Sequence, residues 1–228
     1  MMLGIEIMFI GIAIVAIIIL GLALNQGWRF PALFIAVGTI VGLLSYLKFY
    51  QNTEALPPRF IFLIIPSIII VIYSLKKIDV SKVNLFFLLM IHLLRIPIEI
   101  ILFQLYELGL IPKLMTYAGW NWDILSGIAA IPILALFVIN KLNKKILFLW
   151  NLSALILLAI IVFSAIFSAP SVIQLLAFDQ PNIAVLQFPF VWLPSVVVPI
   201  VLLSHILIFK YIKQENKINL EDSYIIFR

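Results

Sequence analysis

The stretch LGIEIMFIGIAIVAIIILGLAL, residues 3–24, decides the fold class of this chain. It contains a single charged residue, Glu6, and it is as long as the roughly 20 apolar residues that a helix needs to cross a bilayer. Its start lacks lysine and arginine, and no small-residue cleavage pattern follows. We therefore expect a retained membrane anchor and not a signal peptide.

Comparable apolar runs recur along the whole chain. Hydrophobic residues make up 65% of the sequence and charged residues 11%, against about 45–50% and about 25% in soluble domains, so the surplus apolar surface must face lipid. The runs are continuous and do not alternate, which favours helices over a transmembrane barrel. We predict an all-α, polytopic transmembrane helical bundle. Its seven predicted spans are residues 3–24, 30–49, 60–75, 83–106, 124–140, 146–168 and 188–211.

Lysine and arginine set the predicted orientation. With seven spans and the N-terminus outside, 11 basic residues face the cytoplasm and three, Lys48, Arg59 and Lys113, face outward. If residues 60–75 did not cross, six spans with the N-terminus inside would give 12 against two, so this alternative stays open. We favour seven spans with the C-terminus inside, because no charge interrupts that run. The prediction is one transmembrane domain over residues 1–212, a short cytoplasmic tail over 213–228, and a location in the cell inner membrane.

Composition excludes several classes of function. The net charge of +5 does not indicate a nucleic-acid partner, because the charges sit in short connections between apolar runs. The absence of cysteine excludes thiolate metal sites, iron–sulfur clusters and cysteine nucleophiles. No lysine lies between Lys145 and Lys210, where a retinal protein needs one in its last helix, so we expect no retinal. No P-loop, nucleophile elbow or zinc-protease motif occurs, which weighs against an enzyme but leaves the question open.

The fourth run contains the most informative polar residues, in HLLRIPIEI at 92–100. His92, Arg95 and Glu99 are spaced i, i+3 and i+7 and therefore share one helical face. A charged side chain inside a membrane costs about 2.5–3.5 kcal/mol to insert, and such residues usually serve a function. We predict that these three residues bind a ligand, with Arg95 and Glu99 as charge partners and His92 as a titrating group. The structural alternative is that Arg95 and Glu99 neutralise each other while His92 bonds a neighbouring helix.

The seventh run supplies a second histidine, His205, beside Ser204. Prolines in this run, among them Pro194 and Pro199, should bend the helix and leave carbonyls open. His92 and His205 are the candidate ligands of a haem or another metal. Counted at 1.5 Å per residue from the cytoplasmic ends, however, His205 lies about 7 Å deep and His92 about 15 Å, which argues against a shared iron.

Two connections on the outer side are longer than a turn. Residues 107–123 mix aromatic residues with glycine and proline, which predicts an interfacial segment. Residues 169–187 contain a capping-box pattern from Ser171 to Gln174, which predicts a short interfacial or re-entrant helix. The polar residues here are expected to form a solvated loop or the mouth of a cavity. They are Gln174, Asp179, Gln180, Asn182 and Gln187, with Asp123 opposite and Glu107 at the outer end of the fourth helix.

Three tracts resemble a known group of proteins. They are AFDQPNIAVLQFPFVWLPSVVVPIVLLSHI at 177–206, HLLRIPIEI at 92–100 and GWNWDILSG at 119–127. These tracts are similar to those of a group of uncharacterised bacterial multi-spanning integral membrane proteins with no assigned activity. The resemblance covers most of the chain from Leu85 onward. It implies a bacterial inner-membrane location and assigns no residue a role.

The leading hypothesis is that the chain binds or translocates a small molecule or ion through a polar interior centred on the fourth helix and approached from the outer side. The first alternative is a membrane enzyme or redox subunit with His92 and His205 as ligands. The second is a non-catalytic scaffold or assembly partner without a site. Gly38 and Gly42 form a GxxxG pattern, which predicts close helix packing. The lipid bilayer is the expected partner, and the sequence does not determine the oligomeric state.

Overall fold

A computed structural model describes residues 2–225, with side chains through residue 214, and all regular structure in that range is helical. Two consecutive helices, α4 (Leu85–Leu93) and α5 (Arg95–Glu107), form one apolar stretch, Leu85–Glu107, with a turn at Leu94 between them. A π-helical turn, Leu193–Val197, leads into the last helix. The helices are α1 Met2–Leu24, α2 Arg29–Tyr46, α3 Ile61–Lys77, α4 Leu85–Leu93, α5 Arg95–Glu107, α6 Asp123–Val138, α7 Lys144–Ser168 and α8 Val198–Ile225.

Helix length separates the predicted spans into two groups. Within the described range, five helical stretches are long and apolar enough to cross a membrane. The two remaining helices are shorter: α3 has 17 residues and α6 has 16, or about 26 Å and about 24 Å against a hydrocarbon core of roughly 30 Å. The all-α prediction is confirmed. The five long stretches are Met2–Leu24, Arg29–Tyr46, Leu85–Glu107, Lys144–Ser168 and Leu193–Gln214.

The helix α8 continues to Ile225, so the predicted tail at 213–228 begins inside a helix. Residues 226–228 of that tail lie outside the described residues.

Apolar side chains face outward as well as inward. On α1, Phe9 and Leu20 are buried, whereas Ile7 is 61% exposed and Leu22 is 48% exposed. A helix at a water-facing surface would place polar residues on its outer face. A bundle with apolar residues on both faces is stable when lipid, and not water, surrounds it.

Hydrogen bonds between connections show which helix ends lie together. The side chain of Gln26, after α1, donates to the carbonyl of Asp79 and accepts from its N–H, both at 2.9 Å. The N–H of Asn84 donates to the carbonyl of Ala23 at 2.8 Å. The turn after α1 and the turn after α3 therefore lie at one end of the bundle, which we call the Gln26 end. In that turn, hydrogen bonds from Ser81 hold the pKa of Asp79 below its usual range.

The opposite end is formed by the connections after α2, α5 and α7. The hydroxyl of Ser45, near the end of α2, donates to the carbonyl of Leu186 at 3.3 Å. The N–H groups of Ile183 and Ala184 both donate to the carbonyl of Leu110 at 3.0 Å. We call this the Leu186 end. The helices α2 and α3 consequently run in opposite directions between the two ends.

One proline of the last span leaves a backbone carbonyl open, as the sequence predicts. Pro199 has no N–H to give to the carbonyl of Ser195, and that carbonyl accepts instead from the hydroxyl of Ser67 on α3 at 3.1 Å. This bond joins α3 to the π-helical turn.

The two glycines of the GxxxG pattern pack against the π-helical turn and the residues just before it. The indole N–H of Trp192 donates to the carbonyl of Gly38 at 2.8 Å. A Cβ at Gly38 would lie 3.2 Å from Val196, and one at Gly42 would lie 3.4 Å from both Phe188 and Trp192. The packing role predicted for these glycines is confirmed.

Candidate functional site

The polar residues of the fourth span lie around the turn at Leu94. The helix α4 ends at Leu93 and α5 begins at Arg95, where the N–H of Leu94 donates to the carbonyl of Ile91. Pro97 lacks an N–H, which removes one helical hydrogen bond from this turn. His92, Arg95 and Glu99 are all buried, with 0%, 2% and 1% of their surfaces exposed.

Arg95 forms an ion pair with Asp123, the first residue of α6. Its Nε donates to Oδ2 of Asp123 at 2.7 Å and its Nη2 donates to Oδ1, which gives the two-pronged geometry that guanidinium favours with carboxylate. The Nη2 group also donates to the carbonyl of Ala154 at 3.0 Å. The structural alternative, in which Arg95 and Glu99 neutralise each other, is wrong in that pairing, because the guanidinium of Arg95 pairs with the carboxylate of Asp123 from another helix.

His205 completes the set of contacts around the arginine. Its Nε2 lies 3.3 Å from Nη1 of Arg95 and its Nδ1 lies 2.7 Å from Oδ1 of Asn151. Since the guanidinium can only donate, Nε2 accepts and Nδ1 carries the proton. The amide of Asn151 also donates to the carbonyl of His205 at 3.0 Å. Asn151 is a polar residue inside an apolar run, a signal from which the sequence could have identified it.

His92 is held by a contact with Ser204 on α8. The hydroxyl of Ser204 donates to the carbonyl of Leu88 at 3.0 Å, so its oxygen is left to accept from Nε2 of His92 at 3.2 Å. The indole ring of Trp150 lies edge-on to the His92 ring, with 5.1 Å between centroids. Nδ1 of His92 is buried and has no hydrogen-bond partner.

The two histidine rings are neighbours, and the different depths predicted from the sequence are wrong. Their centroids are 4.3 Å apart. Two axial imidazoles on one iron have nitrogens about 4 Å apart, and their ring centres are further apart by the size of the rings. The His92–His205 spacing is therefore too short to hold an iron between the rings, and Nε2 of His205 already accepts from Arg95. Among the described residues, no group of three or more histidine or acidic side chains is placed to hold a metal.

Glu99 has a polar partner on one oxygen only. The side-chain amide of Asn121 donates to Oε1 of Glu99 at 2.7 Å and to the carbonyl of Met115 at 3.0 Å. The carbonyl oxygen of the Asn121 side chain accepts from the N–H of Asp123 at 3.0 Å. Oε2 of Glu99 is buried without a hydrogen-bond partner. Glu99 therefore has one open hydrogen-bonding position inside the bundle.

The side chains of Asn121 and Asp123 lie inside the bundle because the connection after α5 turns back into it. Glu107 ends α5, and Glu99 lies eight residues earlier, about 12 Å along the helix. Asn121 and Asp123 are 3% and 5% exposed. The prediction that Asp123 faces a solvated loop is wrong, because the acid is buried against Arg95.

A cavity of about 350 Å³ lies beside Arg95, Glu99 and Asp123. Its remaining wall is almost entirely apolar, contributed by α3, α5, α7 and the π-helical turn with the start of α8. At the Leu186 end it is lined by buried residues of the connections, Ile111, Met115 and Ala184. Packed loops thus cover the cavity at the Leu186 end, which is the end that the sequence predicts to face outward and to admit the ligand. Asn182, predicted to lie at a cavity mouth, is a buried part of this wall.

The connection after α7 has no helix at its predicted position. The hydroxyl of Ser171 accepts from the N–H of Ile173 at 3.3 Å, and Gln174 donates to the carbonyls of Leu176 and Ala177, so both polar residues close local turns. These turns replace the capping box. Gln180 crosses to the other connection, where it donates to the carbonyls of Tyr106 and Ile111 at 2.9 and 2.6 Å.

The fold and this site define a helical protein with five helical stretches long and apolar enough to cross a membrane, and with a buried polar cluster on the wall of an apolar cavity. Residues 59–212, more than half of the chain, match the family described as Domain of unknown function (DUF8737), and the chain belongs to this family. No curated protein and no solved structure matches the chain significantly.

Proposed function

We propose that this chain is a multi-pass inner-membrane protein that binds or translocates a small molecule in the cavity beside Arg95, Glu99 and Asp123. The open oxygen of Glu99 carries the proposal. A buried polar atom without a partner costs about 1–3 kcal/mol, and the cost is higher for a charged group. A ligand that hydrogen-bonds this oxygen would remove that cost.

The size and lining of the cavity support the proposal. Ligand pockets are typically about 300–1,000 Å³, apolar, and equipped with a few convergent polar groups. The cavity has about 350 Å³ and a single cluster of charged residues. These properties suit a molecule with an apolar body and one polar group.

The topology we propose has seven crossings, with the N-terminus outside and the C-terminus in the cytoplasm. The contact of Gln26 with Asp79 supports it, since six crossings would place the turn after α1 and the turn after α3 on opposite sides of the membrane. The helices α3 and α6 can be shorter than the bilayer is thick, because the membrane can thin locally at modest cost. The resemblance of residues 177–206 to bacterial multi-spanning proteins favours a bacterial inner membrane.

The proposal is tested with 1-decanol, a neutral amphiphile, on protein purified in a mild detergent. We expect decanol to raise the Tm of the wild type, as any ligand specific for the folded state does. Val162→Trp places a large ring in the cavity and should abolish the shift, whereas Ile156→Trp, an exposed position on the same helix α7 that does not line the cavity, should retain it. Equal shifts in all three proteins would contradict a binding site in this cavity.

A further inference from the structure

We propose that the ligand of this cavity is an amphiphile with a primary ammonium or similar cationic donor group, and that it enters from the lipid between α3 and α7. This inference rests on the proposed function and adds the charge of the ligand and its route.

The charge follows from the hydrogen-bond partners of the three ionisable residues in the wall. Arg95 is neutralised by Asp123, and four of its five N–H groups are directed at Asp123, Ala154 and His205. The arginine therefore has little capacity left for an anionic ligand. Glu99 is the second carboxylate of the cluster, and no cation pairs with it in the described residues.

An ammonium group at Glu99 would complete the cluster. With Arg95 and the ligand as cations and with Asp123 and Glu99 as anions, the buried charges would balance. The ammonium could donate to the free Oε2, while Asn121 continues to hold Oε1. Charge-assisted hydrogen bonds of this kind are about twice as strong as neutral ones. An anion would instead meet the carboxylate of Glu99 in an apolar surrounding and be repelled.

The apolar tail has room in the rest of the cavity. An engineered cavity of about 150 Å³ in another protein takes up benzene, and the cavity here is more than twice as large. Leu102, Leu158 and Val197 are among the side chains that would contact the tail.

The route follows from the exposure of the lining residues. Ile68 on α3 and Phe163 on α7 both line the cavity, yet they are 48% and 61% exposed. Ala159 on α7 is likewise both exposed and part of the lining. The cavity therefore reaches the outer surface of the bundle between these two helices. That surface faces hydrocarbon in a membrane, so a lipid-dissolved molecule can enter without crossing the packed loops at the Leu186 end.

The test compares decylamine, 1-decanol and decanoate, which share one tail length, at equal mole fraction in the detergent micelle. For the wild type we expect decylamine to bind about tenfold more tightly than decanol, because a close buried charge pair contributes an affinity gain of about this size. We expect decanoate to bind more weakly than decanol. Glu99→Gln should bring decylamine to the level of decanol. Glu107→Gln, the same change at the exposed end of the same helix α5, should leave the preference intact.

The outcomes separate this inference from the proposed function. If decanol binds and decylamine has no advantage, the cationic ligand is wrong while the binding site remains. If none of the three probes binds, both proposals are wrong. The comparison of the three probes on unmodified protein does not depend on whether Glu99→Gln folds.

The route is tested with a substitution at the opening. Ala159→Trp should slow or weaken decylamine binding, and Ile156→Trp, whose side chain lies outside the cavity on the same helix, should not. Unchanged decylamine binding kinetics in Ala159→Trp would overturn entry between α3 and α7.

A lipid headgroup and a free amine can supply the same chemistry, and native mass spectrometry distinguishes them. Protein released from nanodiscs of phosphatidylethanolamine is compared with protein from nanodiscs of phosphatidylcholine, whose trimethylated head cannot donate. Retained phosphatidylethanolamine that decylamine displaces would indicate a lipid ligand. Decylamine binding without retained lipid would indicate a free amine. Both results support the inference, and equal retention of the two lipids with no effect of decylamine contradicts it.

Discussion

Arg95 connects polar groups of four helices, three of them through side chains and one through a backbone carbonyl. It lies at the start of α5 and contacts Asp123 on α6, the carbonyl of Ala154 on α7 and His205 on α8. A buried ion pair is weak evidence for stability, because desolvation offsets most of the attraction. Its geometry has a clearer consequence: the pair holds the start of α6 next to α5, which places Asn121 against Glu99.

Removing the carboxylate of Asp123 should be strongly destabilising, since it leaves the guanidinium buried without an anion. For Asp123→Asn we expect a loss of about 3–5 kcal/mol of folding free energy, seen as a lower Tm in detergent. Asp179→Asn, at an exposed position of the connection after α7, is the control and should have little effect. The double variant Arg95→Gln with Asp123→Asn removes both charges and should recover part of the loss. A single variant as stable as the wild type would show that the pair is not needed for folding.

At the scale of elements, the position of α6 depends on two close approaches. The connection before α6 turns back at Gly119, where a Cβ would overlap the carbonyl oxygen of Lys113. Within α6, a Cβ at Gly127 would lie 2.8 Å from Cγ1 of Ile96 and 3.2 Å from its backbone nitrogen. At Gly119 a Cβ would overlap backbone atoms, so only glycine fits there without a shift of the backbone, and at Gly127 a Cβ would force Ile96 to move. The two glycines allow α6 to lie against the start of α5.

We predict that Gly127→Ala lowers the stability by about 1–3 kcal/mol, the usual cost of overpacking, although alanine normally favours a helix. The matched control is Gly11→Ala in α1, where a Cβ would have nothing within 4 Å. That variant should be neutral or slightly more stable in the same thermal measurement. Similar Tm shifts for both variants would contradict the close contact of α6 with Ile96.

At the scale of the whole molecule, topology can be tested cleanly because the chain contains no cysteine. We expect Glu54→Cys, in the connection after α2, to react with a membrane-impermeant maleimide in intact cells, because seven crossings place it outside. Asp179→Cys should be labelled and Lys141→Cys protected whether the chain crosses six or seven times. Protection of the cysteine at 54 to the extent seen at 141 would establish six crossings and refute the seven proposed here.

The helical class and the approximate limits of the spans follow from the sequence alone. Hydropathy is a local property: each apolar run has a transfer free energy that does not depend on its neighbours, so residues 3–24 can be recognised without a structure. The burial of His92, Arg95 and Glu99 follows in the same way, since their charges cannot face lipid. Ser204 and His205 are likewise visible as polar residues in an apolar run.

The partners of those residues were decided by the tertiary structure. Spacing along one helix suggested Glu99 as the partner of Arg95, whereas the pair forms with Asp123, 28 residues away, because the connection after α5 turns back into the bundle. The neighbouring position of His92 and His205 likewise depends on how α4 and α8 are aligned, which a count of residues from each end does not determine. Side-chain pairing between helices depends on their depth and rotation, and those are set by packing contacts such as Gly127 with Ile96. The sequence therefore determined which residues must be buried, and the packing of the helices determined what each of them contacts.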